Sequence, residues 1–69
     1  MSEVKSARQA TEIALAFVKK YRSFARPLKA VREGNAWLVE IDVGLLSTKA
    51  AKVKIDAKSA KILQYHIPS

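Results

Sequence analysis

Trp37-Leu38-Val39-Glu40-Ile41-Asp42-Val43 and Ala51-Lys52-Val53-Lys54-Ile55-Asp56 are the stretches whose reading decides the fold. In each, apolar and polar residues alternate with a period of two, the pattern of a strand with one buried face. Trp37, Val39, Ile41 and Val43 share one face, and Leu38, Glu40 and Asp42 share the other. Ala51, Val53 and Ile55 alternate with Lys52, Lys54 and Asp56 in the same way. Joined through Leu45 to Lys49, the two runs form a hairpin. Glu40 is then expected opposite Lys54, and Asp42 opposite Lys52. Opposite charges so placed contribute roughly 0.2–1 kcal/mol each.

Outward from the hairpin, Asp56-Ala57-Lys58-Ser59-Ala60-Lys61 reads as a second tight turn. It leads into Ile62-Leu63-Gln64-Tyr65-His66-Ile67, and Pro68 stops that strand. A short strand through Leu28 to Glu33, turned by Gly34-Asn35, precedes the tryptophan strand. The expected strands are therefore 28–33, 36–44, 50–56 and 61–67.

Upstream, residues 3–25 read as one amphipathic helix. Ser6-Ala7-Arg8-Gln9 fits a capping box, with Ser2 as an earlier alternative. Pro27 is expected to end the helix, because the residue before a proline is pushed out of the helical region. At helical spacing Ala10, Ile13, Ala14, Phe17, Tyr21 and Phe24 form one stripe, flanked by Ala7, Val18 and Ala25. The chain thus reads as a single α+β domain over residues 1–69: an N-terminal amphipathic helix packed on a three- to four-stranded antiparallel sheet. One helix covers one sheet face, and a chain this short has nothing left for the other. Leu38, Ile62, Leu63 and Tyr65 are the expected interface on that second face, and a homodimer through it is expected.

The first and last thirds of this pattern, taken with its middle, resemble a known family. Ala10-x-x-Ile13-Ala14 lies on the helix, Trp37-Leu38-Val39-Glu40-Ile41 looks like a tryptophan strand, and Val53-Lys54-Ile55-Asp56-Ala57-Lys58-Ser59-Ala60-Lys61-Ile62 looks like a strand-turn-strand ending. Together these resemble the PepSY-type domain, a small helix-plus-antiparallel-sheet unit. Ala60 stands where that family usually has glycine. The resemblance implies the fold and a role in binding or inhibiting a partner protein. It brings no catalytic residue with it.

Composition narrows the function further. The 69 residues include no cysteine, which excludes disulfide staples and thiolate metal ligation. Met1-Ser2-Glu3-Val4-Lys5 shows no apolar segment behind a basic start, so no signal peptide is expected and a cytoplasmic location is. No apolar run approaches the ~20 residues of a membrane span. His66 is the sole histidine, with no second histidine and no carboxylate close in sequence other than Asp56 across a turn, too little for a catalytic or metal site. Glu40 and Asp42 share a face, but each is expected to be paired to lysine. The chain has no Gly-x-Ser-x-Gly and no Gly-rich phosphate loop. No enzyme activity, cofactor or metal is expected.

The net charge of +7 is concentrated early. Residues 1–32 carry eight Lys/Arg against Glu3 and Glu12, whereas residues 33–69 carry five Lys against four acids. On a continuous helix Arg8, Lys19, Arg22 and Arg26 fall within about 60° of one another. Lys29 and Arg32 would extend that ridge on the next segment. The ridge either keeps the helix wet or contacts phosphates, in which case DNA or RNA would be bound without sequence preference and with strong salt sensitivity. The reading preferred from sequence is a non-catalytic protein-binding module. Non-specific nucleic-acid binding through the ridge is the alternative.

Overall fold

The computed structural model describes residues 3–68. Helix α1 (Ala7–Val18) starts at the Ser6 cap, whose hydroxyl accepts the Gln9 backbone N–H at 3.1 Å. The Gln9 side chain reaches back, but it accepts the Lys5 N–H at 2.6 Å rather than that of Ser6. Ser2, the alternative cap, lies outside the described residues. Residues 3–5 are not helical, because Val4 has another task. Its N–H donates to the Ala57 carbonyl at 2.7 Å, its carbonyl accepts the Trp37 indole N–H at 2.9 Å, and its side chain is buried.

The far end also corrects the expected helix over 3–25. α1 stops at Val18, and the N–H groups of Tyr21 and Arg22 both fold back to the Val18 carbonyl at 2.9 Å. The reason is length. Twelve helical residues span about 18 Å, within the run of a seven-residue strand, about 24 Å, whereas a helix over 3–25 would span about 34 Å and overshoot it. Residues 19–25 are then needed to carry the chain across to the sheet. Ala10, Ala14 and Val18 are buried as expected, while Tyr21, Phe24 and Ala25 lie beyond the helix.

Four strands follow: β1 (Arg26–Glu33), β2 (Ala36–Asp42), β3 (Ala50–Asp56) and β4 (Ile62–His66). They form an antiparallel meander in the order β1-β2-β3-β4. The fold is α+β, with one helix on a four-stranded sheet. Pro27 does not end the helix; it sits inside β1, where the register shifts between Pro27 and Lys29. An edge strand tolerates a residue without an N–H donor. The core lies between α1 and one sheet face, where Val39, Ile41, Val53 and Ile55 are sealed from solvent.

The β2–β3 register differs from the expected one by two residues. Glu40 faces Lys52, not Lys54, and Asp42 faces Ala50, not Lys52. Asp42 is the cause, because it organises the loop that joins the strands. Its Oδ1 accepts the N–H groups of Lys49 and Gly44, each at 3.0 Å, and its Oδ2 accepts Arg26 Nη2 at 3.0 Å. A longer loop, residues 43–49, thereby replaces a tight connection. These donors, the Lys49 and Gly44 amides first, hold the Asp42 carboxyl below its ordinary value of 3.8.

The β3–β4 turn is built the same way on a smaller scale. Asp56 Oδ2 accepts the Ser59 hydroxyl at 2.6 Å and the Ser59 N–H at 2.9 Å, and both lower its pKa. Ala60 then adopts φ +65°, the left-handed conformation that glycine favours.

Candidate interaction surface

The strand alternation places a second set of side chains on the face that α1 leaves uncovered. Leu38 on β2 lies opposite Lys54 on β3, Glu40 lies opposite Lys52, and Lys52 and Lys54 lie opposite His66 and Gln64 of β4. Leu38, Lys52, Lys54, Gln64 and His66 line a shallow hollow of about 150 Å³. Leu38 is half-buried at its floor. Glu40 approaches Lys29, its partner on β1, at 3.9 Å rather than Lys52, its partner on β3. Lys52 and Lys54 are consequently in no ion pair among the described residues. The hollow therefore sets Leu38 of β2 beside Lys52 and Lys54 of β3 and Gln64 and His66 of β4.

The four expected interface residues divide between the two faces. Leu38 is on the uncovered face. Ile62 lies opposite Ile55 and packs against the core. Tyr65 is on the helix side as well, edge-on to Phe17 at 5.1 Å and stacked near Tyr21 at 6.4 Å. Leu63 falls at a register shift between Lys54 and Ile55 and is exposed at the sheet edge. For Ile62 the cause is that shift, which moves it one position out of strict alternation with Gln64 and His66; Tyr65 reaches the helix side by regular alternation opposite Val53.

The expected basic ridge is not carried on one continuous helix. Only Arg8 stands on α1, and it approaches Glu12 one turn on at 3.5 Å. Lys19 follows the helix as its C-cap residue, and Arg22 lies in the turn beyond. Arg26 is on β1 and bonded to Asp42. Lys29 is on β1 near Glu40. Arg32, also on β1, donates through Nε to the Gly34 carbonyl at 2.7 Å and lies over the Trp37 ring at 5.5 Å. Of the six, Lys19, Arg22 and Arg32 are in no ion pair among the described residues. A ridge that requires continuous helix to Arg26 is lost when the helix ends at Val18.

No protein-family model, no curated protein and no solved structure matches this chain. The functional reading therefore rests on its own geometry. No group of three or more His, Cys, Asp or Glu side chains comes together to hold a metal among the described residues. No helix among them is long and apolar enough to cross a membrane.

The composition of the hollow was partly visible in the sequence. Lys52 and Lys54 share the parity of the polar face of their strand, which put them beside Leu38. They were expected to be consumed by Asp42 and Glu40. The register and the Lys29 contact release them.

Proposed function

We propose that this protein is a non-catalytic interaction module that binds an acidic segment of a partner protein through the uncovered sheet face. One observation carries the reading: a half-buried leucine sits beside Lys52 and Lys54, which are in no ion pair among the described residues, on the sheet face that α1 leaves uncovered. A partner with one apolar side chain for Leu38 and carboxylates for the two lysines satisfies both features at once. The resemblance to PepSY-type domains supports a partner-binding role in general terms. A homodimer through the same face would bring the lysines of two copies together, which costs association free energy.

The test is a titration of an acidic amphipathic peptide, alternating Glu and Leu, followed by amide chemical shifts at low salt. Shifts should centre on Leu38, Lys52, Lys54, Gln64 and His66. The double variant Lys52→Glu/Lys54→Glu should weaken binding by roughly tenfold or more, while its stability stays within about 0.5 kcal/mol because both changes are on the surface. No binding, or shifts elsewhere, removes the sheet face from the reading. A two-chain mass in light scattering would assign Leu38 to a dimer instead. Tight, steeply salt-dependent retention of duplex DNA in place of the peptide would restore the nucleic-acid alternative.

A further inference from the structure

The β2–β3 loop, residues 43–49, protrudes from the end of the molecule where α1 terminates and β1 begins. Its apex is apolar: Leu45 is 76% exposed and Leu46 is 102% exposed. An extended chain leaves a leucine no more open than that. The loop is not loosely built. Asp42 clamps both its ends, Val43 N–H donates to the Lys49 carbonyl at 2.9 Å, and Gly44 packs so closely that a Cβ there would collide with the Ser47 carbonyl oxygen. The two leucines are therefore held outward by a determined backbone.

Cations surround this apex. On one side Arg22 and Lys49 line a hollow of about 380 Å³ with Leu45 and Leu46. On the other side Arg26 and Phe24 line a second hollow, of about 260 Å³, with the same leucines. The one carboxylate there, Asp42, is buried and already bonded to Arg26 and the loop amides. Lys19 and Lys20 occupy the preceding turn, and neither is in an ion pair among the described residues. A convex apolar tip inside a basic collar matches the profile of an anionic bilayer surface, acyl chains below and phosphates at the level of the collar.

We propose that Leu45 and Leu46 insert into the interface of an anionic lipid bilayer, with Arg22, Lys49 and Arg26 meeting headgroup phosphates. The surface is distinct from the sheet-face hollow and does not depend on it. The membrane is preferred over a protein groove because charge and shape complementarity are both met by a flat anionic sheet, and the tip is too fully exposed to fit its own surroundings.

The experiment uses the intact chain. Because it contains no cysteine, Leu46→Cys provides a unique attachment point for a polarity-sensitive dye. The labelled protein is mixed with phosphatidylcholine vesicles and with vesicles containing about one third phosphatidylserine. The expected result is a blue shift on the anionic vesicles alone, reversed by salt. In an unlabelled flotation assay Leu45→Ser/Leu46→Ser should lose roughly tenfold or more of vesicle binding, and Arg22→Glu should also weaken it, with circular dichroism unchanged because all three side chains are exposed. No binding to anionic vesicles overturns the proposal. So does equal binding to both vesicle types, or binding that survives the double serine variant. Retention on duplex DNA without vesicle binding overturns it too and assigns the collar to nucleic acid.

Discussion

On the helix side of β2 and β3, Val39, Ile41, Val53 and Ile55 are sealed against α1; one residue along the same strands, Leu38, Glu40, Lys52 and Lys54 meet solvent. The two faces share a backbone, a register and a set of hydrogen bonds. They differ in what a side chain meets. On the first face shape is constrained by close packing, so volume changes are felt. On the second, Leu38, Glu40 and Lys54 are only partly enclosed, and Lys52 and Lys54 are in no ion pair among the described residues. The covered face therefore holds the fold, and the uncovered face is free to carry recognition. The two ends of the meander repeat the contrast. The β3–β4 turn is tied by Asp56 and Ser59 into a compact connection, whereas the β2–β3 loop is tied by Asp42 but thrusts two leucines outward.

The sharpest way to break this comparison is to truncate one residue on each face. Ile41→Ala should destabilise by about 2–5 kcal/mol, since it opens a cavity at a fully buried position. A domain this small has little more than that to lose, so the variant should be largely unfolded in urea titration at room temperature. Leu38→Ala should cost no more than about 1 kcal/mol, because its side chain is only half-buried. Equal effects would mean that the faces are not distinct.

A second prediction concerns the clamp of the β2–β3 loop. The folded Asp42 carboxyl titrates below its ordinary 3.8, owing first to the Lys49 and Gly44 amides. A depressed folded value means a contribution that is fully present above the unfolded pKa and is lost as pH falls through the folded one. Asp42→Asn should therefore melt at a lower temperature than the parent at neutral pH. The gap should close in acid, below about pH 4. A gap independent of pH would show that the carboxylate charge is not what holds the loop.

The smallest effect is expected at the compact turn. Ala60 has φ +65°, where an L side chain is disfavoured and glycine is not. Ala60→Gly should stabilise by about 0.5–1 kcal/mol, the relief of strain less the added freedom of the unfolded chain. Thermal melts of the two proteins decide it. A loss of stability would mean that the Ala60 methyl, half-buried against the core, packs better than the backbone is strained.

Much of this architecture was legible along the chain, and the exceptions have physical causes. The Ser6 cap, the alternation in β2 and β3 and the four strand positions are local patterns. Helix length was overread because the apolar periodicity continues through Tyr21 and Phe24. Those aromatics do contribute to packing, Tyr21 beside Phe17 and Tyr65, but from a turn rather than a helix. The basic ridge was an extrapolation of that same helix, and its residues are instead divided among α1, the turn after it and β1. Ile62 meets the core because one register shift in β4 reverses its face, whereas Tyr65, opposite Val53 in unbroken register, is on the helix side by alternation alone. The Leu45-Leu46 apex went unread, although two adjacent leucines between Gly44 and Ser47, in a loop, are themselves a signal of exposed apolar surface.

What the sequence determined alone is which side chains travel together: period two divides β2 and β3 into an apolar and a charged set whatever the rest of the chain does. It also determined the cap at Ser6 and the turns, since these depend on residues within a few positions. Tertiary structure decided where α1 stops, that Glu40 turns to Lys29 and leaves Lys52 and Lys54 in no ion pair among the described residues, and that Asp42 closes a loop instead of an ion pair with Lys52. Those outcomes depend on distances between residues far apart in sequence. Local pattern carries no information on them, because the free energy of each is set by which partner the packed sheet brings within reach.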